Sequence, residues 1–141
     1  MDADQVREYF DRAPVARLAT IDTAAHRPHL VPVTFARLDP DTLVTGIDHK
    51  PKRTRALRRL QNIAGNPNVC VLADHYEDDW TQLWWVRADG TAQVREASSA
   101  PEAVRALVAR YPQYAERPLD GPVIVISVVR WTGWVSASAA G

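Results

Sequence analysis

The sequence predicts an α+β protein whose strands form an antiparallel, barrel-like sheet. The predicted elements follow the order strands, helix, strands, helix, strand, so strands and helices do not alternate as a parallel doubly wound sheet requires. The dinucleotide-binding motif G-x-G-x-x-G does not occur in the chain, which argues against a dinucleotide fold. A length of 141 residues fits one domain over residues 1–141.

The N-terminal residues predict a short helix followed by a strand. Asp2 and Gln5 have the spacing of a capping box, and an apolar stripe follows them as far as Pro14, where the helix should end. The segment 15–21 is rich in apolar and β-branched residues and predicts the first strand. A polar connection suited to a hairpin comes next.

Two more strands are predicted before the middle of the chain. They cover residues 30–38 and 42–47, with a turn at residues 39–41 between them. Pro32 lies inside the first of these strands and cannot donate a ladder hydrogen bond. It therefore marks a sheet edge, a bulge or a place where something other than a strand approaches.

A basic helix is predicted next, with Pro51 in its first turn and Gly65 at its end. At the helical period the apolar face is Ala56, Leu57, Leu60, Ile63 and Ala64, and the opposite face is Lys52, Arg55, Arg58, Arg59 and Asn62. Arg53 falls on the apolar side, where its charge needs a partner such as a bound anion. Because the helix start also offers free amide groups and a favourable dipole, the segment predicts a phosphate site. The alternative is a solvated basic face neutralised by nearby acidic residues.

The second half of the chain predicts three strands and one helix. The strands cover residues 69–73, 83–94 and 123–135, and the helix covers residues 99–111. Asp89-Gly90 inside the long middle strand indicates either a hairpin turn or a bulge.

Two local patterns in this half have structural interpretations. Ser99 and Glu102 have the spacing that caps the start of the helix. Trp84 and Trp85 are neighbours on one strand and must point to opposite faces of the sheet. This predicts one of them in the core and the other at a dimer interface.

The composition narrows the function class. Seventeen basic and seventeen acidic residues give no net charge, which argues against a nucleic-acid partner. The single cysteine, Cys70, excludes an internal disulfide and is expected to be a buried structural thiol. The histidines do not have metal-ligand spacing, so no metal is expected. Without a signal peptide or a membrane-length apolar stretch, the expected location is cytoplasmic, with no membrane partner.

Five segments carry a resemblance that covers residues 13–135: VARLAT, RPHLVPVTF, TLVTGIDHKPKR, NPNVCVLAD and LWWVRADGTAQV. In this order they resemble the split β-barrel flavin and deazaflavin oxidoreductases, the relatives of pyridoxine 5′-phosphate oxidase. The similarity is greatest to an actinobacterial branch described as probable F-420-dependent enzymes. The resemblance implies a six-stranded antiparallel split β-barrel with flanking helices, of the FMN-binding type.

The resemblance also implies a homodimer that holds its cofactor in a cleft between the subunits. In the family, basic residues after the third strand bind the cofactor phosphate, and the matching positions here are His49, Lys50, Lys52, Arg53, Arg55 and Arg59. Val31, Pro32 and Val33 match the positions where the family presents backbone to the isoalloxazine-like ring. No catalytic acid or base is identified, because in such enzymes the hydride chemistry belongs to the cofactor.

The function expected from this resemblance is an oxidoreductase that uses reduced F-420 to transfer a hydride to a small organic substrate. Arg55, Arg58 and Arg59 suit the lactyl-oligoglutamate tail of F-420 better than the short chain of FMN. An FMN-dependent enzyme of the same fold is the first alternative. A protein that binds a flavin or F-420 without turnover is the second.

Overall fold

The computed structural model describes residues 1–47 and 53–137, with the side chains of residues 53–57 outside the description. The helices are α1 (Ala3–Arg12), α2 (Arg53–Gly65), α3 (Pro101–Arg110) and α4 (Gln113–Glu116). The strands are β1 (Ala16–Asp22), β2 (Arg27–Val33), β3 (Ala36–Asp39), β4 (Thr42–Gly46), β5 (Asn68–His75), β6 (Trp84–Glu96) and β7 (Pro122–Val135). Single 3-10 turns lie at Trp80–Gln82 and Ala97–Ser99.

All of these strands belong to one antiparallel sheet with the order β2-β1-β5-β6-β7-β4-β3. The α+β class is therefore confirmed. The sheet has seven strands where six were expected, because the strand predicted at residues 30–38 is two strands, β2 and β3. Among the described residues the ladder is not closed into a barrel, since β2 and β3 are its two edges. Pro32 lies on edge strand β2, one of the interpretations predicted for it.

Between β2 and β3, main-chain groups form hydrogen bonds with side chains instead of with a neighbouring strand. The carbonyl oxygen of Thr34 accepts a hydrogen bond from the Thr45 hydroxyl at 2.6 Å, and the amide of Phe35 donates to the Tyr111 hydroxyl at 3.1 Å. The hydroxyls of Thr34 and Tyr114 are 2.6 Å apart and also hydrogen bond. The chain thus passes from one sheet edge to the other within Thr34 and Phe35, and we call these two residues the corner.

The predicted hairpin-or-bulge signal at Asp89-Gly90 is a bulge. Strand β6 continues through it, and the pairing with β7 shifts register between Asp89 and Gly90. A Cβ atom on Gly90 would lie 2.3 Å from the carbonyl oxygen of Ser127, so only glycine permits this approach of the two backbones.

The sheet has one core on each face. The larger core lies under α1 and α2, with Phe10, Leu18 and Phe35 fully buried, and the smaller packs α3 against β3, β4 and β7 around Leu107. Where the sheet consists of β1, β5, β6 and β7, the face that points away from α1 and α2 is covered by neither core. We call it the open face; its residues are Arg17, Ala19, Cys70, Leu72, Asp74, Trp85, Arg87, Asp89, Thr132 and Trp134.

The two predicted helix caps have different outcomes. Asp2 and Gln5 form the capping box expected at the start of α1. The cap expected from Ser99 is wrong, because α3 begins after Ala100 and the Ser99 hydroxyl donates to the carbonyl oxygen of Glu96 at 2.9 Å. Ser99 is the last residue of the 3-10 turn that precedes α3, and its side chain binds within that turn.

Arg110, at the end of α3, joins elements that are distant in sequence. Its guanidinium donates hydrogen bonds to main-chain carbonyl oxygens of Phe10, Asp11 and Ala13, where α1 ends, and to that of Phe35 in the corner. Phe10 also packs edge to face against Trp131 of β7, with ring centroids 5.6 Å apart. The N-terminal helix is thus held by residues about a hundred positions later.

Candidate functional site

The three β2 residues predicted to present backbone to a cofactor ring lie just before the corner. Val33 is buried, Val31 is half-buried and Pro32 is exposed. β2 pairs with β1 along one side, and among the described strands its other side has no partner. A free backbone edge is therefore available there, and the corner fixes where it ends.

Part of the predicted phosphate site falls outside the described residues. These positions are His49, Lys50 and Lys52, together with the side chains of Arg53 and Arg55. The backbone of Arg53 and Arg55 forms the beginning of α2 as the structure describes it. Their proposed contacts with a phosphate stay predictions.

Two polar residues of α2 bind β1 rather than solvent or a ligand. The guanidinium of Arg58 contacts the Asp22 carboxylate at 2.8 Å, and Arg58 is thus engaged in an ion pair instead of being free for a cofactor tail. Helical periodicity predicts Asn62 on the polar face of the helix, yet only 6% of it is exposed. Its amide donates to the Thr20 hydroxyl at 3.0 Å, and this partner permits the burial.

Arg59 is the predicted site residue for which the structure gives the clearest geometry. Its side chain is half-buried, and its Nε has no hydrogen-bond partner among the residues that the structure describes. Burial lowers the pKa of this guanidinium. Because a buried N–H group of a cation is unfavourable without an acceptor, the position suits a bound anion.

His29 on β2 belongs with Arg59, although the sequence did not single it out. It pairs directly with Thr20 in the ladder, so its ring lies on the same face as Thr20 and Asn62. The ring Nδ1 is buried and has no hydrogen-bond partner in the described part of the chain. The alternation of His29 with Val31 and Val33 was the available signal, since residues two apart on a strand share a face.

The open face carries a second group of unpartnered polar atoms. Within the described residues, Arg87 Nε and Thr132 Oγ1 are buried without a hydrogen bond, and the two residues pair directly across β6 and β7. Arg87 Nε lies 3.3 Å from a carboxylate oxygen of Asp89, an ion pair without hydrogen-bond geometry. A hollow of about 330 Å³ beside them is lined by Leu72, Asp74, Tyr76, Trp85 and Arg87.

The described residues give less support for a reactive thiol or a metal site. Cys70 is half-buried rather than buried, and desolvation raises the pKa of its thiol, which makes it a poor nucleophile. No group of three or more potential metal ligands occurs within residues 1–47 and 53–137. In the same ranges no helix has the length and apolar character needed to cross a membrane.

The sequence model of the pyridoxamine 5′-phosphate oxidase family matches residues 3–135, nearly the whole chain. This chain belongs to that family. No curated protein matches the chain significantly.

Solved structures of this fold resemble the family member described here at low sequence identity. A conserved hypothetical protein of Mycobacterium tuberculosis superposes with a TM-score of 0.77 at 18% identity, covering 100% of this chain and 89% of that one. An FAD-binding protein of Mesorhizobium loti gives 0.69 at 17% identity, covering 94% of each chain. The heme storage protein of Vibrio cholerae gives 0.68 at 16% identity, covering 94% and 92%. These likenesses establish the pyridoxamine 5′-phosphate oxidase fold alone.

Proposed function

We propose that this chain is an oxidoreductase that binds a phosphorylated flavin-type cofactor between α2 and the free edge of β2. The observation that carries the proposal is Arg59, a half-buried guanidinium whose Nε has no partner among the described residues. Arginine forms strong, charge-assisted hydrogen bonds with phosphate, and such bonds would compensate its desolvation. The family match is consistent with this, because it covers α2, β2 and the corner together.

Two groups of residues would bind different parts of the cofactor. The backbone of Val31, Pro32 and Val33 would face the ring, and the phosphate and tail would lie against the basic segment that contains Arg59. In that segment the proposed ligands are His49, Lys50, Lys52, Arg53, Arg55 and Arg59. When bound, the cofactor supplies two-electron hydride chemistry, and the protein positions the ring and excludes water from it.

The cofactor we propose is reduced F-420, with an unidentified small organic molecule as substrate. F-420 extends beyond its phosphate into a polyanionic tail, and Arg55 and Arg59 provide cations on one helix for it. Arg58 no longer supports this choice, because it pairs with Asp22.

FMN is the alternative cofactor, since its phosphate fits the same cations and an FAD-binding protein shares the fold. A binding protein without turnover is a further alternative, favoured by the similarity to a heme storage protein.

The partner we propose is a second copy of the chain on the open face. This face lies across the sheet from α2, so a cofactor cleft between the subunits, which the resemblance implies, stays a separate prediction. Arg17 pairs with Asp74 and Arg87 with Asp89, each at 3.3 Å, so both signs of charge alternate on this face. A two-fold contact places a surface against itself, and such a pattern is self-complementary. The second copy would also provide acceptors or donors for Arg87 Nε and Thr132 Oγ1.

The test is a set of titrations followed by intrinsic tryptophan fluorescence, with F-420, FMN and riboflavin added separately. Tight binding of F-420 with weak binding of FMN supports the deazaflavin proposal, and the reverse preference supports the FMN alternative. Riboflavin lacks the phosphate and should bind more weakly than FMN. If neither phosphorylated cofactor binds, the proposed function is wrong and the family membership describes the fold only. Oxidation of bound reduced F-420 by added acceptors then separates an enzyme from a binding protein.

A further inference from the structure

His29 and Arg59 present two buried polar atoms at the edge formed by α2 and β2. Neither His29 Nδ1 nor Arg59 Nε has a hydrogen-bond partner within the described part of the chain. Buried polar groups in folded proteins are almost always paired, so two orphans on adjoining elements indicate that something else binds there.

The positions of the two side chains follow from the contacts around them. Asn62 of α2 bonds Thr20 of β1, and Thr20 lies directly opposite His29 in the ladder. Arg59 precedes Asn62 by three positions and therefore lies on a neighbouring part of the same helix surface. Both unpartnered atoms thus belong to the junction of α2 with the edge strand.

The charges around His29 favour its neutral ring in the ligand-free protein. Burial lowers its pKa, and the positive charges of Arg59 and Arg58 lower it further. Asp22 of β1 acts in the opposite direction, but it is paired with Arg58. A neutral ring beside the Arg59 guanidinium leaves the junction with an excess of positive charge, and within the described residues Arg59 Nε has no acceptor.

We propose that His29 and Arg59 together bind one phosphoryl oxyanion at this junction, and that His29 takes up a proton from solvent when the anion binds. The anion would offset the positive charge that disfavours the imidazolium, and the protonated ring can donate from either nitrogen. This inference rests on the proposed function only in naming the anion, which would then be the cofactor phosphate. It adds His29 to the site and makes the affinity depend on pH.

The sign of the pH dependence is fixed by linkage. His29 has a higher pKa with the anion bound than without it, so binding takes up protons between these two values. The affinity is greatest below the pKa of the free protein and falls as the pH rises through the pKa of the complex.

The first experiment is an NMR titration of the histidine rings in the ligand-free protein, with and without saturating pyrophosphate. His29→Gln assigns the His29 signal. The expected result is a rise in the protonation midpoint of His29 when pyrophosphate is present, and loss of that rise in Arg59→Gln. An unchanged midpoint, or a rise that persists in Arg59→Gln, would overturn the proposal.

The second experiment compares the affinities of wild type and His29→Gln for FMN and riboflavin from about pH 5.5 to about pH 8.5. The ratio of the wild-type affinity to the variant affinity is independent of any protonation change of the ligand itself. The advantage of wild type over His29→Gln for FMN should decrease about tenfold across this range, and riboflavin should show no such trend. A constant advantage for FMN rejects the proton-linked site while leaving the proposed function intact. If pyrophosphate raises the protonation midpoint of His29 but no flavin-type cofactor binds, the anion site is supported and the proposed function is wrong.

Discussion

The side-chain amide of Asn62 donates a hydrogen bond to the hydroxyl of Thr20, which joins α2 to β1 inside the protein. Only 6% of Asn62 and 2% of Thr20 are exposed. Since water does not reach either group, each depends on the other for its hydrogen bond. The contact holds the helix that carries Arg59 against the strand that pairs with β2.

Removal of one partner from this pair should destabilise the fold. Asn62→Leu leaves the Thr20 hydroxyl unsatisfied and is expected to lower the free energy of unfolding by about 1–3 kcal/mol. The double variant Thr20→Val with Asn62→Leu should recover part of the loss, because no polar group is then left without a partner. Urea unfolding of both single variants and the double variant measures the coupling. Purely additive losses would show that the hydrogen bond contributes nothing.

Gly90→Ala should be strongly destabilising. The new Cβ would meet the Ser127 carbonyl oxygen at 2.3 Å, and a main-chain atom cannot move aside as a flexible side chain can. We expect a loss of about 1–3 kcal/mol in the free energy of unfolding. Gly121→Ala is the matched control, because its Cβ would lie 3.6 Å from the nearest atom, an ordinary contact. Thermal unfolding of the two variants side by side would refute the expectation if their midpoints were equal.

Asp41 should contribute to the loss of folding stability at low pH. A hydrogen bond from the Trp131 indole, followed by one from Arg7, lowers the pKa of Asp41 below its ordinary 3.8. Because the folded-state pKa is the lower one, the stabilisation is complete above the unfolded value and is lost as the pH falls through the folded value. Asp41→Asn should therefore be less stable than wild type at neutral pH, with the difference shrinking below about pH 4. Urea midpoints measured from pH 7 to pH 3 test this, and a difference independent of pH would contradict it.

Adjacent arginines on α2 should differ in their effect on cofactor binding. Arg59→Gln removes the cation whose Nε has no partner among the described residues and should weaken binding of the preferred phosphorylated cofactor at least about tenfold. Arg58→Gln removes the same charge from a residue already paired with Asp22, and its effect should be only about twofold and screened by salt. Fluorescence titration of both variants gives the comparison. Equal effects would mean that the helix acts through its general charge and not through Arg59.

The open face should control self-association. Arg87→Ala and Trp134→Ala remove an arginine and a tryptophan, the residue types that most often dominate an interface, and each should weaken dimerisation by about 30-fold or more. Arg105→Ala changes an exposed arginine on α3 that is not one of the open-face residues, and serves as the control. Sedimentation velocity over a concentration series measures the effect. A wild-type protein that stays monomeric throughout would remove the open face as a dimer interface.

The sequence was most informative where local pattern determines structure. The α1 capping box and the opposite faces of Trp84 and Trp85 follow from periodicity and backbone chemistry, and both are found. The edge position of Pro32 is one of the three interpretations that its missing amide hydrogen left open. Trp84 packs against the larger core, whereas Trp85 lies on the open face.

The remaining features depend on residues that are distant in sequence. The strand expected at 30–38 is broken because Tyr111, directly after α3, and Tyr114 of α4 bind the corner. Asn62 is buried because Thr20 lies opposite it, and His29 belongs to the site because it pairs with Thr20. Helical or strand periodicity cannot identify such partners, since it describes each element separately.

The attachment of α1 has a consequence for synthesis on the ribosome. Among the described elements α1 is translated first, yet its apolar side contacts Trp131 and its final carbonyl groups bind Arg110. Neither partner exists outside the ribosome until most of the chain has been translated. Val6 and Phe10, which are fully buried in the finished fold, therefore lack part of their cover until residues 110 and 131 have left the ribosome. Until then α1 should be recognised by chaperones that bind apolar segments, and its docking should be completed only after residues 110 and 131 are available.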